Sequence, residues 1–476
     1  FPAIAPGAYR SNLVDIVTTI RATGADVVLC QPGAAMWTDE IRSGFGAEPY
    51  LVDDPWGFDR LLIGYAEVVR QEASAARAPL VAVHDADRAR GPETMARWRT
   101  DGRHPTDEAN AWLARAVYEA IAPRVESGAA RARLLSEHGA PSRGWTIPEL
   151  DLDGQPDRLV VVDREEGQYL GHPSTVLLPD GRTILCVYPS GHGRGAIRMK
   201  RSTDGGLTWS DRLPVPESWT SSKETPIIER IRTRDGSAEN LIVWSGLHPA
   251  RRALSRDGGA TWSELEIVEA EEPWGGIVVM GDHLRMQDGR TCAWFHDDGR
   301  FFRAGGRWGG FAVYQTESVD GGVGWSQPRE IARWPHGHLC EPGVVRRGDT
   351  VALLLRENSR QRNSQLITST DDGRTWSAPQ PLSGALTGDR HQVLELPDGR
   401  LFVSFRDTGL DSPRWGDWVA WVGTFEDVVE GRQGQLRLRL MDNLVRADCA
   451  YPALELLDDE TIVATTYGHW TEGEPP

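Results

Sequence analysis

Ser202-Thr-Asp-Gly-Gly-Leu-Thr-Trp209 is the stretch that decides the fold. It recurs as Ser255-Arg-Asp-Gly-Gly-Ala-Thr-Trp262, Ser318-Val-Asp-Gly-Gly-Val-Gly-Trp325 and Ser369-Thr-Asp-Asp-Gly-Arg-Thr-Trp376. The shared phrase is S-x-D-x-G-x-x-W. Recurrence at roughly 50–60 residues means a repeat architecture, one supersecondary unit per copy. The Asp carboxylate can accept backbone N–H groups within its turn, and the glycines supply positive φ. The Trp packs between strands or neighbouring units. These boxes read as structural turns, since the D-x-D-x-D spacing of a calcium loop is missing.

Short strands and Gly/Asp turns surround the boxes from Arg158 onward. Hairpin turns fall at Asp180-Gly181, Asp235-Gly236, Asp288-Gly289, Gly348-Asp349, Asp398-Gly399 and Asp458-Asp459. Six hairpins predict an all-β, six-bladed β-propeller over residues 158–476. Each box then belongs between the third and fourth strands of a blade, away from the axis. Arg158-Leu-Val-Val-Val162 is expected to lend a strand to the last blade. That blade reads as incomplete, with a few further residues expected after Pro476.

Residues 1–145 follow a different grammar, alternating helix and strand patterns of an α/β layered domain. Helical periods run over 10–23, 58–77 and 106–121, with buried strands at 25–32 and 79–84. Residues 146–157 read as a linker. The chain begins with Phe1, read as an internal or processed start, and no secretory signal opens it. No apolar run approaches the roughly 20 residues of a membrane helix. The net charge of −17 excludes the basic face a nucleic-acid partner needs. Lys200 and Lys223 are the only lysines, so nearly all positive charge is arginine, suited to planar carboxylate recognition. Cys30, Cys186, Cys292, Cys340 and Cys449 form no zinc spacing and read as small buried hydrophobes.

In a propeller the inner strands begin around one mouth, and here those starts are polar. Blade one brings His172, His192 and Arg194; blade two Lys223, Glu224 and His248. Blade three brings His296, Asp297, Asp298 and Arg300; blade four His338, Glu341 and Arg356. Blade five brings Arg390, His391, Arg406 and Asp407; blade six Asp448, Tyr451, Tyr467 and His469. Such a convergence of polar groups marks a site.

Together with the boxes, this constellation resembles the sialidase (neuraminidase) superfamily over residues 158–476. Three stretches carry the resemblance. Glu341-Pro-Gly-Val-Val with Leu355-Arg356 is similar to the sialidase segment where a Glu opens an inner strand and a clamp Arg ends its partner. Tyr451-Pro-Ala-Leu is similar to the segment whose Tyr is the nucleophile. Asp389-Arg390-His391 opens blade five, where another clamp arginine is expected. The resemblance implies a retaining exo-glycoside hydrolase acting on sialic acid or a related acidic sugar at glycan ends, in a secreted or periplasmic setting. Tyr451 would be the nucleophile, Glu341 its base, and Arg356 and Arg390 the anion clamp. His172, Arg194, His391 and Asp448 read as further substrate contacts. A phenol is a weak nucleophile near neutral pH, its pKa being about 10. A carboxylate in reach can take its proton during attack. Tyrosine also avoids the repulsion an anionic nucleophile meets from an acidic sugar, and is a known exception to the two-carboxylate rule.

Two positions depart from that pattern. Sialidases carry a clamp Arg at the first inner strand, where this chain has Gly171-His172-Pro173-Ser174. They place an acid/base Asp in the loop after the second strand of blade one. Here that loop is Pro189-Ser-Gly-His192-Gly-Arg194-Gly, which holds no carboxylate. His192, or Asp297 or Asp298 from blade three, is left as the acid/base. The alternatives are a non-catalytic carbohydrate-binding propeller and a glycosidase or lyase for another sugar class. No cofactor or metal is called for. Upstream, Asp101-Gly-Arg-His104 resembles the D-x-x-H block that ends SGNH (GDSL-like) hydrolase domains. There the His is a general base oriented by the Asp. The nucleophilic Ser and oxyanion donors of such a domain would precede residue 1. Asp101 and His104 are therefore expected to be a vestigial, inert esterase fragment.

Overall fold

The computed structural model describes the chain except residues 1–4, 23–24, 26, 46–49, 100–101, 103, 126–143, 269–273, 275, 303–309, 411, 446 and 459. Two compact units divide it, Phe1–Ala140 and Pro141–Pro476. In the first, helices Pro6–Ala22, Arg60–Ala75 and Asp107–Val125 occupy the expected helical stretches. The expected strands shrink to one parallel pair, Leu29–Cys30 with Leu80–Val81. Val17, Val27, Leu29, Val69 and Ala73 form a core around that pair. Asp101 lies outside the described residues, and His104 is exposed.

The second unit is a β-propeller. Five sheets have three to five strands. Their innermost strands are Ser174–Leu177, Ile227–Arg232, Val279–Arg285, Leu339–Arg347 and Gly388–Glu395. A further two-stranded sheet, Ala453–Leu456 with Ile462–Thr465, packs between the fifth sheet and the first. Within each sheet consecutive strands pair antiparallel, as hairpins do. The core lies between blades, where Trp219, Trp244, Trp294 and Trp421 are fully buried. Cys186, Cys292, Cys340 and Cys449 are buried, whereas Cys30 is exposed.

Each box begins on the last residue of a third strand: Ser202, Ser255, Ser318 and Ser369. In the second copy Asp257 Oδ1 accepts from Thr261 N at 2.9 Å and Ser255 Oγ at 2.8 Å. Ser255 Oγ in turn accepts from Gly259 N at 2.8 Å. The turn is thus closed by side-chain oxygens rather than by a ladder. The fifth sheet has no box. Between its third and fourth strands Thr424 caps the short helix Phe425–Val429, donating from its N–H to Asp427 and accepting from Asp427 N. A capping box does there what the Asp box does elsewhere.

Two expectations about the ends of the propeller are corrected. Residues 159–162 form no strand, and Leu159, Val160 and Val161 are exposed. The supposed linker instead supplies Glu149–Asp151, which adds parallel to Leu436–Met441 at the edge of the fifth sheet. Trp145 anchors it, with the Arg437 guanidinium 3.9 Å from its ring centroid. An indole under a buried guanidinium outweighs the β-propensity of Leu-Val-Val-Val.

Ser255→Ala should cost about 1–2 kcal/mol in urea unfolding of the propeller, the typical penalty for unpairing a buried N–H. The box acids also set an acid limit. Hydrogen bonds from Thr261 and Ser255 depress Asp257 to about 2, and those from Thr208 and Ser202 do the same for Asp204. A folded pKa below the unfolded value stabilises fully above about pH 4, and the stabilisation is lost as pH falls toward 2. Thr261→Val should therefore move the onset of acid unfolding, followed by near-UV circular dichroism, to higher pH.

Candidate functional site

Four residues at the starts of inner strands share one backbone feature. His172, Glu341, Arg390 and Ala450 have φ of 52°, 49°, 57° and 53°. A non-glycine residue held in that region stores about 1–3 kcal/mol of strain, and such residues gather at functional sites. The ladder also slips between Cys340 and Gly343 and between Asp389 and Gln392, so Glu341 and Arg390 sit inside bulges. A bulge re-aims the side chain it carries.

Glu341, Arg356 and Tyr451 come together from the fourth and last sheets. Tyr451 Oη donates to Glu341 Oε1 at 2.7 Å. Arg356 Nη1 donates to the same oxygen at 2.8 Å and to Tyr451 Oη at 3.0 Å. Glu341 Oε2 is buried and has no partner among the described residues. Burial pulls the Glu341 pKa up, but Arg356, then His296 and the Tyr451 hydroxyl, outweigh it and hold the group well below the usual carboxylate range. Burial, then the Glu341 charge, push the Tyr451 phenol above its ordinary value. The resting pair is a neutral phenol donating to a carboxylate.

Behind this pair lies Asp389, with no exposure at all. Arg356 Nε, Arg360 Nη2 and Arg406 Nη2 pair with it at 3.0, 2.8 and 2.7 Å. Arg406 also lies 5.3 Å from the Tyr451 ring centroid and donates to the Ala447 and Cys449 carbonyls. Arg390, the expected second clamp residue, turns the other way. Its guanidinium donates to the Met280 and Gly281 carbonyls at 2.9 and 3.3 Å. It lines a cavity of about 400 Å³ along the inner strands, shared with Tyr451, Glu229, Asp282 and Glu455. Burial raises the pKa of all three acids, Asp282 to about 6 and Glu455 to about 7.

His172 is buried and packs on Tyr451 and Tyr467, ring centroids 4.7 and 4.6 Å away. Its Nδ1 accepts from Gly193 N at 3.3 Å, so Nε2 carries the proton toward Tyr467 Oη, also 3.3 Å away. Burial, then His192 and Arg406, depress it to about 3, so it is neutral at neutral pH. It cannot replace the charge of an arginine. Asp448 accepts from Tyr169 Oη at 2.7 Å and lies 3.2 Å from His469 Nε2. Burial opposes its ionisation, yet these bonds leave its pKa lowered. His192 reaches the cluster through Tyr169 Oη at 2.7 Å.

Other predicted residues stand apart. Asp297 accepts from the backbone N–H groups of Gly299, Phe301 and Phe302, which makes it the organiser of a turn. His391 is buried against Phe405 and pairs with Leu386 O at 3.0 Å. Arg194 is exposed on the blade-one loop. Asp389 and Tyr169 were assigned no role from sequence, and Arg406 and Tyr467 were placed at the mouth without one. Arg406 stands one residue before the end of its strand, as Arg356 does. Tyr169 precedes the first blade and carries no repeat signal.

Residues 241–412, spanning the second to fifth sheets, match a family described as BNR repeat-like domain. The chain is 25% identical over 316 residues to a sialidase of Micromonospora viridifaciens, covering 59% of this chain and 44% of that protein. It is 22% identical over 281 residues to a sialidase of Clostridium perfringens, covering 50% of this chain and 70% of that one. The chain thus spans less than half of the first relative. A crystal structure of a protein of unknown function from Dyadobacter fermentans shares the fold at a TM-score of 0.52 and 17% identity. It covers 66% of this chain and 94% of its own. In sequence the chain is similar to these two sialidases, and in fold to the Dyadobacter fermentans protein.

Asp389→Asn leaves three guanidinium groups short of a buried counter-charge. It should cost about 3–5 kcal/mol in urea unfolding, the usual result of breaking one side of a buried ion network. Arg360→Met, removing the most exposed of the three, should cost far less.

Proposed function

We propose that the chain is a retaining exo-glycoside hydrolase of the sialidase type, acting on sialic acid or a related acidic sugar at glycan ends. The observation that carries this reading is the 2.7 Å hydrogen bond from Tyr451 Oη to Glu341 Oε1, with Arg356 touching both groups. Tyr451 Oη attacks the anomeric carbon as its proton passes to Glu341 and the bond to the leaving oxygen breaks. Water then displaces the tyrosine, and two inversions give retention. Arg356 stabilises the phenolate character that develops between these steps. The sugar's anionic group is held by Arg356 and Arg406 rather than Arg390, with less charge than three arginines would give.

We count the two-stranded sheet as the sixth blade, because it fills the gap between the fifth sheet and the first. We read residues 1–145 as a partial SGNH-like segment without esterase activity. A binding propeller without turnover, or action on another sugar class, is the second reading. The neutral His172, standing where a clamp arginine is expected, favours it.

A fluorogenic sialoside tested beside a panel of uronides and neutral glycosides separates these readings. Activity on an acidic glycoside, abolished by Tyr451→Phe and reduced about 10²-fold or more by Glu341→Gln, is the expected outcome. Activity intact in both variants would sink the assignment; binding without turnover would select the second reading. Hydrolysis of 4-nitrophenyl acetate should be no faster with the wild type than with His104→Ala.

A further inference from the structure

A tyrosine and its base account for attack, but departure of the sugar's oxygen also needs a proton. Glu229, Asp282 and Glu455 lie along the inner strands, whereas the carboxylates near the loops of the mouth can be sorted by what they accept. Asp297 is filled by backbone N–H groups, and Asp298 is paired with Arg300 at 2.7 Å. Asp389 is held by three arginines, and Asp448 by Tyr169 and His469. Donors of these kinds keep a carboxylate ionised, which is the wrong state for an acid.

Glu224 differs. It stands just before the inner strand of blade two and is partly buried. Thr225 N and Thr225 Oγ1 donate to it at 2.9 and 3.1 Å, both to Oε1. Oε2 accepts no hydrogen bond among the described residues. No arginine or lysine pairs with it there. Burial raises its pKa, and the nearby Glu341 charge adds to the rise against Thr225 and Arg300.

Its position is the second argument. A Cβ built on Gly193 would lie 3.0 Å from Glu224 Oε1. Gly193 has φ of 67° and belongs to the loop Pro189–Gly195, which holds no carboxylate of its own. The Gly193 N–H reaches His172 Nδ1, and His172 packs on the Tyr451 ring at 4.7 Å. The Glu224 carboxyl therefore stands one loop residue from the imidazole that touches Tyr451. The bare glycine leaves room for a carboxylate arriving from blade two.

We propose that Glu224 is the acid/base of this site, reaching from blade two into the gap in the blade-one loop. The inference rests on the hydrolase reading above. Glu224 gives its proton to the glycosidic oxygen as the bond from that oxygen to the anomeric carbon breaks. The resulting carboxylate takes a proton from the attacking water as the bond to Tyr451 Oη breaks, and the acid is restored.

The test uses the full chain, the sugar found by the panel, and two leaving groups: 4-nitrophenol, which departs without help, and a second sugar, which does not. Glu224→Gln should lower kcat/KM for the sugar-linked substrate about 10²–10⁴-fold and for the aryl glycoside far less. The alkaline limb of the kcat/KM profile should vanish. Azide should accelerate Glu224→Ala on the aryl glycoside, replacing the water that needs a base. Equal loss on both substrates with the alkaline limb unchanged would make Glu224 structural, leaving the hydrolase reading intact if Tyr451→Phe is still inactive. A wild type that turns over nothing on the panel would remove the hydrolase reading and this proposal together.

Discussion

Asp389 fixes the site without touching its cavity face. A fully buried carboxylate costs several kcal/mol unless it is paired and hydrogen-bonded. Three arginines meet that demand, and each is oriented by doing so. Arg356 has its Nε against Asp389, so its Nη1 falls between Glu341 and Tyr451. Arg406 has its fork on the same carboxylate and its plane near the Tyr451 ring. The phenol–carboxylate geometry is thus imposed from behind, by an ion cluster joining the fourth and fifth blades.

The backbone contributes the other half of that geometry. The propeller repeats an outer turn, and the repeat is economical because the Ser and Asp side chains close the turn themselves. Nothing in that device depends on the axis. The inner starts obey another rule: several are bulged or left-handed, and they are unlike one another. Regular outer turns hold the blades in register while irregular inner starts choose which side chains meet. The fifth blade shows that the two rules are separable, since Thr424 and Asp427 replace the box and the inner bulge persists.

That separation explains what could be read from the sequence. The boxes gave the register of four blades, and each one falls where a third strand ends. Glu341, Arg356 and Tyr451 could be brought together because each lies at a strand end in a segment with a familiar pattern. Arg390 could not be placed. In a regular strand alternate residues share a face, but a bulge adds one residue and reverses the parity. The sequence carries no mark of that insertion, so the clamp role was assigned to Arg390, and Arg406, also placed at the mouth, was given none. Asp297 failed for a different reason. An acid followed by Asp-Gly can serve a substrate or its own turn, and three free N–H groups in the next five residues decided the matter. The strand expected at 158–162 failed because composition reports propensity, whereas the Arg437–Trp145 contact selects the segment that pairs.

Charge around Tyr451 narrows what can bind there. Within the cluster behind Tyr451, the Arg356, Arg360 and Arg406 guanidinium groups meet two carboxylates, Asp389 and Glu341, so that cluster carries one positive charge in excess. A third clamp arginine in the place of His172 would have made it two. His172 is instead neutral and packed among Tyr169, Tyr451 and Tyr467. That side of Tyr451 carries aromatic rings and a carboxylate, Asp448, groups suited to sugar hydroxyls and to C–H surfaces. One surplus charge opposite an aromatic wall can attract a singly charged acid without demanding it. On the hydrolase reading proposed above, selectivity at this mouth comes from hydroxyl geometry as much as from the anionic group.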